Sequence, residues 1–257
     1  RVTWSADGRE LATGSFYGLV RVFHLGTDGP LERSRHGFGN VLGALRFTPD
    51  GQSLVVSAQS TGVRLVDPLS GVVQRELHAH NGVVRDVEFD ASGLLMATCG
   101  SDGNVKVFDL SHDEQSAATR LDGGHIIAAH FLDEQRLILG FGHNVDRPGI
   151  RFDGKAIRIW DVSTRKMVGH VGNHADWLTD LELDRSRQTL LSAGRDRFVR
   201  LWDVASGSEL QSWGPLSANI QRVLWVGKPG MPVALTEDGQ LHLGESVADQ
   251  KWRAFSL

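Results

Sequence analysis

Cysteine, tyrosine and proline are scarce in this chain of 257 residues, with one, one and 7 of each. A single cysteine, Cys99, cannot form a disulfide within the chain, so a bridge-stapled secreted scaffold is excluded. Cys99 lies in an apolar stretch where a thiol behaves as a small buried hydrophobe, which suits a reducing, cytoplasmic setting. Positive charge is not in excess either: 27 Lys and Arg stand against 31 Asp and Glu, a net charge of −4. No basic face for nucleic acid or anionic lipid is therefore expected. No apolar run reaches the roughly 18 residues of a membrane-spanning helix, and no charged-then-apolar leader opens the chain. The first residue is Arg1 rather than Met, so the chain is expected to be a piece of a longer protein. Helical periodicity is not sustained anywhere, whereas glycine is plentiful at 30 residues, as many tight turns between strands require.

What is present is a repeat. Strand-like segments end at Val22-Phe23-His24, Leu65-Val66-Asp67, Val107-Phe108-Asp109, Ile159-Trp160-Asp161, Leu201-Trp202-Asp203 and Leu243-Gly244-Glu245, with last positions 43, 42, 52, 42 and 42 residues apart. A second series, Trp4, Phe47, Phe89, Phe131, Leu183 and Trp225, is spaced 43, 42, 42, 52 and 42. Both series lengthen once, in the fourth repeat, which places an insert at 143–153 (HNVDRPGIRFD). A period near 40 to 45 closing on Trp-Asp marks a propeller blade, one four-stranded sheet per repeat.

The third repeat shows the pattern plainly. Residues 83–89 alternate apolar and polar; Asp90-Ala91-Ser92-Gly93 supplies a turn; 94–98 is more continuously apolar, as a strand buried on both faces should be. Ser101-Asp102-Gly103-Asn104 turns into a third strand at 105–108, and a poorer outer strand follows near 117–121. The other repeats read alike, with outer strands near 31–34 in the first and 251–255 in the sixth. The expectation is an all-β propeller of four-stranded antiparallel blades forming one domain over 1–257, with repeats near 1–35, 36–79, 80–122, 123–172, 173–214 and 215–257. The six repeats make either a six-bladed ring or part of a seven-bladed one.

The fifth repeat, NHADWLTDLELDRSRQTLLSAGRDRFVRLWDV, resembles the tryptophan-aspartate (WD) repeat family, and the resemblance extends more weakly over the whole chain. It implies a hydrogen-bonded tetrad of His174, Ser192, Asp196 and Trp202. A buried indole N–H needs an acceptor, and a serine hydroxyl can take that bond and pass one to imidazole. The third repeat offers His80, Thr98 and Asp102, with Phe108 in place of the indole. The fourth offers His125, Trp160 and Asp153 without the hydroxyl. A hydrolase triad from Ser192, His174 and Asp196 is not expected, because Ser192 falls inside a packed sheet rather than in a cleft.

The resemblance also implies a non-catalytic platform for protein or peptide partners, without cofactor, metal, nucleic acid or membrane. It would form part of a larger signalling or regulatory protein, for example one carrying a Ser/Thr protein kinase or a signalling NTPase. Candidate contacts are Phe16 and Tyr17 on an exposed turn, and Arg147, Arg151 and Phe152 in the insert. Trp177, Arg195 and Arg197 at the mouth of the fifth blade could hold an acidic or phosphorylated peptide. Phe16 and Tyr17 could instead pack against an upstream segment. The His78-x-His80 pair lacks the further ligands a metal needs. The alternative reading is a ligand-binding or enzymatic propeller with a site over the central channel, for which Arg46, Arg85, Asp86, His130, Asp180 and Arg222 are the nearest candidates.

Overall fold

The computed structural model describes every residue except 40, 59–61, 79, 113, 122–123, 143–154, 185, 187, 227–230, 245–251 and 257. Among the described residues all regular elements are strands, grouped as six four-stranded antiparallel sheets in which each strand pairs with its neighbours in the sequence. Blade 1 is β1 (Val2–Trp4), β2 (Glu10–Gly14), β3 (Leu19–Gly26) and β4 (Gly29–Gly37). Blade 2 is β5 (Leu42–Phe47), β6 (Leu54–Ala58), β7 (Gly62–Val66) and β8 (Val73–His78). Blade 3 is β9 (Val84–Phe89), β10 (Leu95–Gly100), β11 (Asn104–Asp109) and β12 (Glu114–Arg120). Blade 4 is β13 (Ile126–Phe131), β14 (Arg136–Phe141), β15 (Ala156–Asp161) and β16 (Lys166–Asn173). Blade 5 is β17 (Leu178–Asp184), β18 (Thr189–Gly194), β19 (Val199–Asp203) and β20 (Glu209–Trp213). Blade 6 is β21 (Ile220–Val226), β22 (Met231–Thr236), β23 (Gln240–Gly244) and β24 (Trp252–Ser256).

The chain divides into two compact units, Arg1–Leu121 with blades 1 to 3 and Asp122–Leu257 with blades 4 to 6. Two outer strands run longer than the sequence suggests: β4 has nine residues rather than the four at 31–34, and β12 begins at Glu114 rather than near 117, whereas β24 lies within one residue of the expected 251–255. Their sequences alternate poorly because one edge is unpaired and faces solvent, so pairing with the third strand alone sets their length.

Within each unit the core lies between neighbouring sheets. Ala12, Val20 and Val22 of blade 1 pack against Leu42, Leu45, Phe47 and Val56 of blade 2. Val55, Val63 and Leu65, from the opposite face of blade 2, pack against Val87, Phe89, Met96 and Phe108 of blade 3. In the second unit Ile138, Ile157 and Val171 of blade 4 meet Leu181, Leu190 and Trp202 of blade 5. The other face of blade 5, through Leu191, Ala193, Val199 and Trp213, meets Ile220, Val223 and Ala234 of blade 6. Inner and middle strands are thus apolar on both faces, which is why Leu95–Gly100 reads as a continuous rather than an alternating run. Removing a large apolar side chain from water at each of these positions contributes roughly 1.5–3 kcal/mol.

The tight turn between second and third strands is built alike in blades 1, 3, 5 and 6. Its last residue donates its amide back across the turn: Gly18 to Ser15, Gly103 to Gly100, Arg197 to Gly194 and Gly239 to Thr236. That residue is left-handed in all four, with φ of 80°, 75°, 67° and 78°. Three of the four are glycine, the residue without a Cβ penalty there; the fourth is Arg197.

Candidate partner-binding site

In blade 5 the register places Ser192 opposite Leu181 and Arg200, and Trp202 opposite Leu190, so serine and indole share the face that packs on blade 4. Trp202 Nε1–H donates to Ser192 Oγ at 2.7 Å. The Ser192 hydroxyl, whose one proton remains, donates to His174 Nε2 at 2.7 Å, and Nδ1–H of the ring donates to Asp196 Oδ1 at 2.9 Å. Asp196 Oδ2 accepts from Ala175 N at 2.9 Å and from Arg200 Nη1 at 2.7 Å. Arg200 Nη1 also stands 2.6 Å from His174 Nδ1. With Nδ1 protonated toward Asp196 this last approach is a crowded contact, and the guanidinium pairs with the carboxylate.

Burial pushes the Asp196 carboxyl upward, but the bonds from His174, Arg200 and Ala175 outweigh it and hold the group well below the usual carboxylate range. Burial also lowers His174, against the opposing pull of Asp196, which keeps the ring neutral in the tautomer the bonds require. The Ser192 hydroxyl is fully buried and committed on both sides, so the trio offers no accessible nucleophile.

Blade 3 keeps three of the four members of this network. His80 Nδ1 meets Asp102 Oδ1 at 2.9 Å and Nε2 meets Thr98 Oγ1 at 2.9 Å, while Phe108 packs where the indole would lie. In blade 4 the residue matching Ser192 is Leu139, and the fully buried Trp160 Nε1 meets no acceptor among the described residues. Asp153 lies outside the described residues.

On the rim above this network, the Arg195 guanidinium lies over the Trp177 ring, 5.0 Å from its centroid, and Arg195 N donates to Trp177 O at 2.8 Å. Arg195 and Arg197 are exposed, and neither is paired with a carboxylate among the described residues. Lys155 reaches the same rim, donating to Ala175 O at 2.6 Å. Trp177, Arg195 and Arg197 are therefore brought onto one edge of blade 5. Phe16 and Tyr17 are exposed on the equivalent turn of blade 1, stacked edge to face with centroids 5.7 Å apart. Arg147, Arg151 and Phe152 lie outside the described residues. His78 is exposed at the end of β8 while His80 is buried in its own network, so this pair does not share a face.

Four of the candidates for a channel site, Arg46, His130, Asp180 and Arg222, bond across to a neighbouring blade. Arg46 pairs with Glu88 at 2.5 Å, Asp180 takes Arg222 Nη1 at 2.8 Å and Val223 N at 2.9 Å, and His130 Nε2 bonds Leu181 O at 3.0 Å. Arg85 O accepts from Arg1, and Asp86 Oδ1 accepts from the neighbouring Val87 N. Among the described residues no three His, Cys, Asp or Glu side chains gather as metal ligands, and no helix is long and apolar enough to cross a membrane.

Sequence reasoning missed Arg200. The signal was available: a basic or imidazole residue, Arg21, Arg64, Lys106, Arg158, Arg200 or His242, stands in the middle of every third strand. In blades 1, 2 and 5 this cation faces a glutamate of the outer strand: Arg21 with Glu32, Arg64 with Glu76, Arg200 with Glu209.

A family model described as the WD domain, G-beta repeat, matches residues 71–109 and 163–203. These stretches carry most of the two hydrogen-bonded networks just described. The crystal structure of the WD40 beta propeller domain of Doa1 superposes with a TM-score of 0.81 over 98% of this chain and 81% of that one, at 17% identity. This chain belongs to the WD-repeat β-propeller family. Transducin beta-like protein 3 of Mus musculus is 31% identical to the WD-repeat chain over 216 residues, 82% of this chain and 26% of that protein. Nuclear distribution protein PAC1 of Arthroderma otae is 25% identical over 181 residues, 68% of this chain and 38% of that protein. The WD-repeat chain thus spans well under half the length of these relatives.

Proposed function

We propose that this propeller is a non-catalytic docking platform whose binding edge is the blade 5 rim, where Trp177, Arg195 and Arg197 hold an acidic or phosphorylated peptide segment. A protein-interaction role is what WD-repeat chains of this kind have in common, and the rim is the further step. The observation that carries it is Arg197. Blades 1, 3 and 6 give the same left-handed position to glycine, and a non-glycine residue there costs on the order of 1 kcal/mol. An exposed arginine retained against that cost, beside an Arg195 already fixed on an indole, fits a cationic clamp.

The finer reading places the domain in a larger signalling or regulatory protein of the cytoplasm, for example beside a Ser/Thr kinase or signalling NTPase. It rests on the family resemblance and on the greater length of the relatives.

The test compares the wild-type chain with Arg197→Gly and Arg195→Ala on an array of acidic, phosphorylated and neutral peptides. Arg197→Gly is expected to leave stability unchanged or raise it by up to about 1 kcal/mol, while weakening acidic-peptide binding several-fold, with the loss shrinking at high salt. A variant that binds as the parent does removes the rim reading. The peptide-platform reading then needs another face, such as Phe16 and Tyr17.

A further inference from the structure

The chain holds one Asn-Gly step, Asn81-Gly82, and it falls between β8 and β9, where blade 2 gives way to blade 3. A folded asparagine is kept inert by a bulky successor that shields the next amide nitrogen, or by hydrogen bonds that hold carboxamide and amide apart. Asn81 has neither restraint. It is exposed in a bend outside the strands, and its carboxamide makes no hydrogen bond among the described residues. The amides on either side are tied down: Asn81 N donates to Asp102 Oδ2 at 2.9 Å and Val83 N to Ser101 Oγ at 2.9 Å. Gly82 N, between them, donates to nothing among the described residues. The glycine is also required by packing, since a Cβ there would lie 2.6 Å from Ser101 Oγ. The other described asparagines make the contrast. Asn104 Nδ2 donates to Asp102 Oδ2 at 2.6 Å, Asn173 Oδ1 meets His170 Nε2 at 3.1 Å, and Asn219 Nδ2 donates to Glu237 Oε2 at 2.9 Å. Each of the three is followed by a larger residue, Val105, His174 or Ile220.

We propose that Asn81 is a modification site at which the protein converts itself, Gly82 N attacking the side-chain carbonyl carbon of Asn81. The N–Cγ bond forms and the Cγ–Nδ2 bond breaks, closing a five-membered cyclic imide. The departing nitrogen takes the Gly82 amide proton and leaves as ammonia. Water, the only co-reactant, then adds at either imide carbonyl and breaks its C–N bond. Opening at Cγ leaves aspartate; opening at the main-chain carbonyl leaves isoaspartate, with the chain running through the former side chain. No electrons are transferred. Either product puts a carboxylate next to His80 on the loop that Asp102 holds, where like charges oppose one another. Isoaspartate also lengthens the main chain by one methylene between Asn81 N and Val83 N, whose acceptors belong to adjacent residues of one turn. Gly82 has no room to move toward Ser101, so the longer segment cannot keep both bonds. Ageing at this step therefore charges and loosens the rim of blade 3.

The test ages the intact protein in heavy-oxygen water at neutral and mildly alkaline pH, followed by peptide mapping that separates asparagine, aspartate and isoaspartate. Asn81 is expected to convert at least about tenfold faster than Asn104, Asn173 or Asn219, which the fold protects. The product should carry solvent oxygen and include isoaspartate, and the rate should rise with pH. The aged fraction, isolated by anion exchange, should melt below the fresh protein and exchange its Asn81 and Val83 amides faster. The control variant is Asn81→Gln, whose longer side chain closes an imide ring far more slowly; it should melt as the parent does and gain no charge at this site. Conversion no faster than at the other three asparagines overturns the proposal, as do a product of aspartate alone and a rate indifferent to pH. An aged fraction that melts and exchanges like fresh protein overturns the loosening of blade 3. An Asn81→Gln variant that gains acidic charge as fast as the parent places the reaction elsewhere and removes the site. None of these outcomes bears on the blade 5 rim.

Discussion

Replacing Asp196 by alanine separates a structural network from a decorative one. The carboxylate accepts four bonds, from His174 Nδ1, Ala175 N, Phe198 N and Arg200 Nη1. Ala175 is exposed and can bond water instead, and Arg200 retains Glu209 at 3.3 Å. His174 has neither escape: its side chain is wholly buried, and its Nδ1–H would face no acceptor. Stranding one buried donor costs about 1–3 kcal/mol, and the weakened hold on Arg200 adds to it, so about 2–3 kcal/mol is expected. For a domain of this size that lowers the melting temperature by about 5–10 °C, read by calorimetry or circular dichroism. Asp196→Asn keeps an acceptor for Nδ1 and should lose less than half as much. An Asp196→Ala melt within about 1 °C of the parent would refute the assignment of any stabilising role to this network.

The same geometry gives further expectations. A Cβ at Gly172 of β16 would collide with the six-membered ring of Trp202, so Gly172→Ala should destabilise by about 2 kcal/mol or more. Trp202→Phe removes those ring atoms, and the double variant should then melt higher than Gly172→Ala alone, a coupling visible in a double-mutant cycle. Trp160→Phe should cost about 1 kcal/mol less than Trp202→Phe, since the Trp160 N–H has no bond to lose among the described residues; equal losses in urea titrations would contradict this. Stability should also fall in acid in two stages. His174 is lowered by burial, so the unfolded chain binds its proton first and stability declines as pH drops below about 6.5, the unfolded value. Asp196 and Asp102 are held low by their bonds despite burial, so their contribution is present above about pH 3.9 and is lost below it. Urea midpoints from pH 7 to 3 check both windows, and a flat profile between 6.5 and 4.5 would remove the His174 stage.

The architecture was legible because each blade must bury two faces with the same few rows, and a row that packs between sheets tolerates only apolar letters. That constraint fixed Phe47, Phe89 and Phe131 at their spacing, and with them the inner three strands of each repeat to within one or two residues. The lengths of β4 and β12 escaped because these outer strands answer to one partner and to solvent, so length there is decided by pairing rather than by composition. The network's carboxylate, imidazole and hydroxyl were readable through the resemblance of the fifth repeat to the WD family, the hydroxyl being the acceptor that a buried indole N–H can use. Arg200 was not, because a lone cation on a strand ordinarily reads as solvated; only its recurrence from Arg21 to His242 distinguishes it. The left-handed Arg197 was hidden for a different reason. Sequence spacing aligns it with Gly18, Gly103 and Gly239, but the strain exists only once the turn closes.

Erosion of the network across repeats follows from the same physics. In blade 5 the indole fits because blade 4 presents Gly172 beneath it, and it is worth burying because Ser192 satisfies its N–H. Blade 3 solves the problem by deletion: Phe108 has no donor, and His80 keeps Thr98 and Asp102 as partners. Blade 4 keeps the indole of Trp160 opposite an aliphatic strand, where ring burial carries the position and the N–H meets no acceptor among the described residues. Each blade thus balances one aromatic against its polar dependants locally. A repeat can lose members of the set without disturbing its neighbours, because the interfaces between blades are made of the apolar rows, which every described blade retains.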